Sequence, residues 1–168
     1  MFTVKQISDL TGLSRSQVDQ MISRHGFKPT QAALESGAAR RFSRADAIRY
    51  CLISALREIG LPWETVREVD NDSGFANQIF NPRSTDALDD YPNEKSYEDK
   101  SNLLFVVAYS GTGPSTYSEK NVASLRGEIC HVHEILDWIA KGNHSPGAVI
   151  VDFSAILKRV DATLEQVE

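Results

Sequence analysis

Two shortages in the sequence narrow what this protein can be: it has few cysteines and no long apolar run. Its 168 residues contain two cysteines, Cys51 and Cys130, and no CxxC pair. A disulfide framework is therefore not expected, and both thiols are expected to be reduced. No apolar stretch approaches the roughly 20 residues of a membrane-spanning helix, and the first residues lack a signal-peptide pattern. These absences favour a cytoplasmic protein with no membrane partner.

Charge is distributed unevenly along the chain, although the formal net charge is −5. Residues 1–69 contain ten Lys and Arg against seven Asp and Glu, whereas residues 70–168 contain eight against sixteen. A mildly basic N-terminal part can approach phosphates, and an acidic remainder is suited to another task. The asymmetry therefore predicts two functions within one chain.

The N-terminal part is dense in helix-start signals. Thr3 is followed three residues later by Gln6, and Ser14 by Gln17, which is the spacing of a capping box. Each box precedes apolar residues at helical spacing, and Gly12 lies in the turn between them. Two short helices joined by a tight turn that contains glycine are typical of a helix-turn-helix.

A wing and two further helices are expected after this motif. Residues 30–39 are small and polar, and Glu35-Ser36-Gly37 is the expected tip of a hairpin. Ser43-Arg44-Ala45-Asp46 is a third N-cap signature, and Gly60 is expected to end the long helix that follows. In the next helix, Trp63 is expected to pack onto the core of the N-terminal part.

The remainder of the chain changes character twice. Residues 70–101 hold eight acidic residues and weak periodicity, as expected of an acidic linker or long loop. In residues 102–168, apolar patterning predicts a strand, a helix, a strand and a helix, in this order: Leu103–Tyr109, Leu125–Ile139, Ala148–Phe153 and Phe153–Val167. That order predicts a small α/β domain with parallel strands.

Two sequence runs occur in a recognisable order. Arg40-Arg41-Phe42-Ser43-Arg44-Ala45-Asp46 is followed by Leu56-Arg57-Glu58-Ile59-Gly60-Leu61-Pro62-Trp63-Glu64. With these runs, the stretch Phe2–Val69 resembles the MerR-like winged helix-turn-helix family, in which wing, long helix and short helix follow one another. There are two departures. Asp19-Gln20-Met21 stands where typical members have Arg-Tyr-Tyr, and no long coiled helix follows Val69.

The resemblance implies a mostly helical winged helix-turn-helix domain at 1–69. With the linker at 70–101 and the α/β domain at 102–168 that patterning predicts, the whole chain is expected to be an α+β protein. The resemblance also implies a sequence-specific binder of double-stranded DNA and a transcriptional regulator, and the small surface that one such module buries predicts a homodimer. The last domain would then dimerise or bind a small-molecule effector or a protein partner. Two alternatives stay open. One is a phage-type DNA-packaging or recombination accessory protein; the other is an adaptor without DNA binding, which the acidic total charge and Asp19 favour.

In helix-turn-helix proteins the start of the second helix enters the major groove. The residues expected to contact DNA are Arg15, Ser16, Gln17, Gln20, Arg24, Lys28, Arg40, Arg41 and Arg44. Arg15 suits guanine and Gln17 suits adenine, whereas Arg40 and Arg41 at the base of the wing suit phosphate. Asp19 would repel phosphate, so within the groove it is expected near a cytosine amino group or water.

Two other signals are set aside. Cys130-His131-Val132-His133 looks like a metal cluster, but on a helix the two imidazoles would point about 200° apart, so no metal site is expected. Gly111-Thr112-Gly113-Pro114-Ser115-Thr116 lacks the Gly-Lys-Ser/Thr ending of a phosphate loop. No Ser/His/Asp or Cys/His catalytic pattern can be recognised in the sequence, so neither a cofactor nor an enzymatic activity is expected.

Overall fold

A computed structural model describes residues 1–29, 40–71, 102–110, 124–132 and 148–165. The helices in these ranges are α1 (Val4–Thr11), α2 (Arg15–Ser23), α3 (Arg44–Glu58), α4 (Trp63–Asn71) and α5 (Phe153–Glu165). The strands are β1 (Phe2–Thr3), β2 (Arg41–Phe42), β3 (Leu103–Ser110), β4 (Ser124–His131) and β5 (Ala148–Asp152). The α+β class expected from the sequence is confirmed.

The described elements fall into two compact units. The first comprises Met1–Arg67 together with Ala155–Glu168, and the second comprises Glu68–Ser154. Most of α5 therefore groups with the helix-turn-helix. The boundaries at 69 and 101 remain a prediction, because most of the expected linker lies outside the described residues, as does the expected wing tip at Glu35-Ser36-Gly37.

Each of the first three helices begins at a capping box, as the sequence predicts. The boxes pair Thr3 with Gln6, Ser14 with Gln17, and Ser43 with Asp46. In each pair the first hydroxyl accepts a hydrogen bond from the later backbone N–H, and the later side chain accepts one from the earlier backbone N–H. Gly12 follows α1 with a φ of 72°, a left-handed conformation that glycine adopts readily. The turn between α1 and α2 is thus specified locally.

The core of the first unit lies around α3, most of which is buried. Phe2 in β1 pairs with Phe42 in β2, and both rings are fully buried. The Tyr50 hydroxyl donates a hydrogen bond to the backbone carbonyl of Phe27 at 2.5 Å. This bond fixes the segment after α2 against α3, and it satisfies a polar group in the core.

Trp63 joins α4 to the segment after α2, as expected. Its ring stacks on His25 at a centroid distance of 4.2 Å, and it contacts the ring of Phe27 at 5.9 Å. The guanidinium carbon of Arg57 lies 4.5 Å from the centre of the Trp63 ring, and Arg57 also hydrogen-bonds to the carbonyl of Leu61. One side chain of α3 therefore holds both the turn and the start of α4.

The second unit is built on a three-stranded sheet in the order β4-β3-β5. Both pairings with β3 are antiparallel, so the expectation of parallel strands is wrong. The two strands that were expected to be parallel are β3 and β5. The segment expected to supply the helical crossover between them begins as strand β4, which pairs with β3 instead. Phe105 lies at the centre, with Ile129 opposite on one neighbour and Val151 on the other, and all three are buried.

The helix expected at Leu125–Ile139 is also wrong at its start, because Ser124–His131 is strand β4. Leu125 and Ile129 are four residues apart, a spacing that fits one helix face and one strand face equally well. Gly127 between them disfavours a helix. The second half of that segment lies outside the described residues. The final helix is confirmed as α5, with Phe153, Ile156 and Val160 buried.

Candidate nucleic-acid interface

The exposed face of α2 follows from which side of the helix is buried. Val18 and Met21 are buried in the core of the first unit. At about 100° per residue, Ser16 and Gln20 lie on the side opposite these two residues, and both are exposed. These short polar side chains are therefore the ones that a groove docked against α2 would meet first.

Gln17 is exposed but already engaged. Its Oε1 accepts a hydrogen bond from the Ser14 backbone N–H at 2.8 Å, and its own backbone N–H donates to Ser14 Oγ at 3.3 Å. A glutamine that forms two hydrogen bonds with adenine uses its side-chain oxygen as the acceptor and its amide nitrogen as the donor. Gln17 can do so only by giving up half of the capping box. The box also occupies the N–H of Ser14, which leaves those of Arg15 and Ser16 in the first turn to bind a phosphate.

One flank of α2 carries Arg15 and Asp19, with Arg40 beside Asp19. Arg40 Nη1 lies 2.6 Å from Asp19 Oδ1, and the two side chains are 42% and 57% exposed. Arg41 follows in β2, exposed, with its backbone in register with Thr3. In the free protein, the carboxylate that would repel a phosphate is therefore paired with Arg40.

The other flank carries Arg24, and Lys28 follows in the segment after α2; both side chains are exposed. Arg24 caps the end of α2, and its backbone N–H donates to the carbonyl of Gln20. Arg49 Nη1 donates to the backbone carbonyl of Lys28 at 2.7 Å. Arg49 therefore positions the segment that carries Lys28, a role that no local sequence pattern predicts. Cations thus lie on both sides of the exposed face of α2.

Arg44 stands apart from the other expected DNA-contacting residues. Its Nε and Nη2 donate to the two carboxylate oxygens of Asp161 at 2.6 and 2.8 Å. The Arg44 side chain is 19% exposed and that of Asp161 39%. A two-pronged arginine–carboxylate pair has both geometric specificity and strength. The structure therefore uses the Arg44 guanidinium to hold α5 at the start of α3.

Cys51 is the buried thiol of the first unit, and its Sγ lies 3.9 Å from the backbone carbonyl oxygen of Leu10. Burial raises the pKa of this thiol, and the nearby Arg159 guanidinium opposes the rise in part. A protonated, buried thiol is a poor nucleophile. Within the described ranges there is no cluster of three or more His, Cys, Asp or Glu suited to a metal ion, and no helix there is long and apolar enough to cross a membrane.

Comparison with known proteins agrees with this geometry. Residues 2–72 match the model of the MerR helix-turn-helix family of regulatory proteins. No curated protein matches the chain in sequence. The matched region contains both capping boxes of the helix-turn-helix, the strand pair β1–β2, and helices α3 and α4. The N-terminal part of the chain is therefore a MerR-like helix-turn-helix domain.

Proposed function

We propose that the protein is a sequence-specific DNA-binding transcriptional regulator. The observation that carries this proposal is the exposed polar face of α2, bordered on both flanks by cations, within a MerR-like domain. Second helices of this kind dock in the major groove. The role is one of binding and not of catalysis, and the cytoplasmic location expected from the sequence stays a prediction.

The proposed contacts divide by position. Ser16 and Gln20 face base edges, and Arg15 reaches them from the flank. The cations beside the helix and at the wing base hold phosphates and set the register of the protein on the duplex; they are Arg24, Lys28, Arg40 and Arg41. Gln17 acts mainly through the capping box. Arg44 acts by positioning α3 through its pair with Asp161.

We further propose that the protein binds as a homodimer. A single module of this size buries little DNA surface, so it has modest affinity and a short recognition site. Two copies on a repeated or palindromic site would raise both. Residues 102–168 would supply the dimer contact, or the site of an effector or protein partner. The phage-type packaging or recombination role remains an alternative that solution mass distinguishes, because a packaging protein forms a ring.

The adaptor alternative loses one of its two supports. It was favoured by the acidic total charge and by Asp19, but the Asp19 carboxylate is paired with Arg40. The remaining acidic surplus lies after residue 69. In the free protein the charge of Asp19 is therefore screened by Arg40, and the acidic total charge is the support that stays with the adaptor alternative.

Equilibrium binding at two salt concentrations tests the proposal. The full chain is titrated with a duplex selected from the genomic DNA of the source organism (source DNA) and with a random duplex of equal length. We expect Arg41→Ala to weaken binding to both duplexes alike and to lower the salt slope by about 1. We expect Gln20→Ala to weaken binding to the selected duplex by about fivefold or more, the lower end of what one base contact discriminates, with less effect on the random one. Equal losses on both duplexes for both variants would refute this division of roles.

A further inference from the structure

We infer that Asp19 is a specificity-determining residue of the DNA-binding face. In the free protein it screens Arg40; on DNA it releases Arg40 to a phosphate and accepts a hydrogen bond from a base amino group, that of cytosine above all. This inference rests on the proposed function. Asp19 adds rejection of wrong sequences to the preference for the right one that Gln20 and Arg15 supply.

The position of Asp19 gives the first support. It lies one turn after Arg15 and about 100° around the helix from the buried Val18, which places it on the flank that Arg40 contacts. Its backbone carbonyl accepts a hydrogen bond from Ser23 Oγ at 2.7 Å. The helix is intact at this point, and the carboxylate projects from regular backbone beside the face that carries Ser16 and Gln20.

The geometry of the ion pair gives the second support. Arg40 contacts Asp19 through one nitrogen and one oxygen, and both side chains are substantially exposed. Exposed ion pairs contribute little to stability because water and salt screen them. An arginine–phosphate contact is charge-assisted and can be two-pronged. A phosphate close to the wing base therefore displaces Asp19 from Arg40 at small cost.

The consequence for Asp19 depends on the base pair that it meets. An ionised carboxylate only accepts hydrogen bonds. In the major groove, cytosine offers its N4 amino group, and adenine offers its N6 amino group beside an acceptor; guanine offers N7 and O6 acceptors, and thymine offers its O4 acceptor. On a sequence without a suitably placed amino group, the released carboxylate faces acceptors and phosphates, which repel it. Asp19 thus discriminates chiefly by repulsion, one of the two routes to specificity.

Asp19→Asn tests this inference, with Asp9→Asn as the matched control. Both acids are exposed in the same domain, and each change removes one negative charge, but Asp9 lies on α1. Dissociation constants of the full-length proteins are measured on a duplex selected by the wild type and on a random duplex. We expect Asp19→Asn to bind the random duplex more tightly and to lower the ratio of specific to random affinity by at least about fivefold. Asp9→Asn should leave that ratio unchanged.

Single base-pair changes in the selected duplex complete the test. We expect the wild type to lose affinity when one particular C·G pair is replaced by T·A, and Asp19→Asn to be indifferent at that pair. If the wild type and both variants bind DNA with the same ratio of specific to random affinity, Asp19 does not determine specificity and the proposed function stands. If the wild type retains no source DNA even at low salt, the proposed function and this inference are both overturned.

Discussion

The pair between Arg44 and Asp161 ties the end of the chain to the DNA-binding domain, and its contribution can be worked out from the geometry. Exposed ion pairs contribute about 0–1 kcal/mol, and hydrogen bonds to charged groups about 1.5–3 kcal/mol. With two contacts at 2.6 and 2.8 Å and partners that are 19% and 39% exposed, the pair lies between these classes. We expect a coupling energy of about 1–2 kcal/mol.

A double-mutant cycle measures this coupling. Urea unfolding of the wild type, Arg44→Ala, Asp161→Ala and the double variant gives four free energies of unfolding, from which the pairwise term follows. The pair between Arg40 and Asp19 is the control. Since it has a single contact between two exposed side chains, its own cycle should give no more than about 0.5 kcal/mol.

DNA binding by Arg44→Ala distinguishes a residue that positions α3 from a residue that contacts DNA. We expect Arg44→Ala to raise the dissociation constant for DNA less than Arg41→Ala does, because the Arg44 guanidinium is held by Asp161. A coupling energy near zero, or an equal one for the two pairs, would refute the reasoning from burial. A loss of DNA affinity for Arg44→Ala that matches that of Arg41→Ala would mean that Arg44 is itself a phosphate contact.

Three smaller predictions follow from caps, buried hydrogen bonds and the buried thiol. Ser14→Ala and Gln17→Ala should each lower the free energy of unfolding by about 1 kcal/mol, and the double variant by less than the sum, because both remove one capping box; additive losses in urea unfolding would contradict this. Tyr50→Phe should cost about 1–3 kcal/mol, since it leaves the buried Phe27 carbonyl without its donor; an unchanged unfolding midpoint would contradict it. The folded state raises the pKa of Cys51, so it holds the proton more tightly than the unfolded chain and should lose stability as pH rises above the ordinary thiol pKa of about 8.5. Cys51→Ala should remove that pH-dependent loss, and an identical pH slope in wild type and variant would argue against burial as its cause.

The N-terminal domain could be predicted from the sequence because its determinants are local. The capping-box spacing of Ser14 and Gln17 predicts the start of α2, and Gly12 predicts the turn before it. The hydrogen bonding of the Gln17 side chain was harder to predict. The same spacing that identifies the capping box also places Gln17 on the exposed surface, and only the structure shows its oxygen bonded to the N-cap.

The second unit was less predictable because its determinants are not local. Leu125 and Ile129 fit both a helix and a strand, and the partner that decides between them is β3, which pairs with β4 in antiparallel register. The pair between Arg44 and Asp161 joins residues 117 positions apart. No local pattern could reveal that contact, and it is the reason we propose a positioning role for Arg44.

The central claim is that the exposed face of α2 reads a DNA sequence. Its most direct test is selection of bound fragments from source DNA by the full chain, with Gln20→Ala carried through the same selection. We expect the wild type to enrich a common short sequence and Gln20→Ala to enrich an altered or relaxed one. Retention of no fragment by the wild type at low salt, or the same enriched sequence for both proteins, would contradict it.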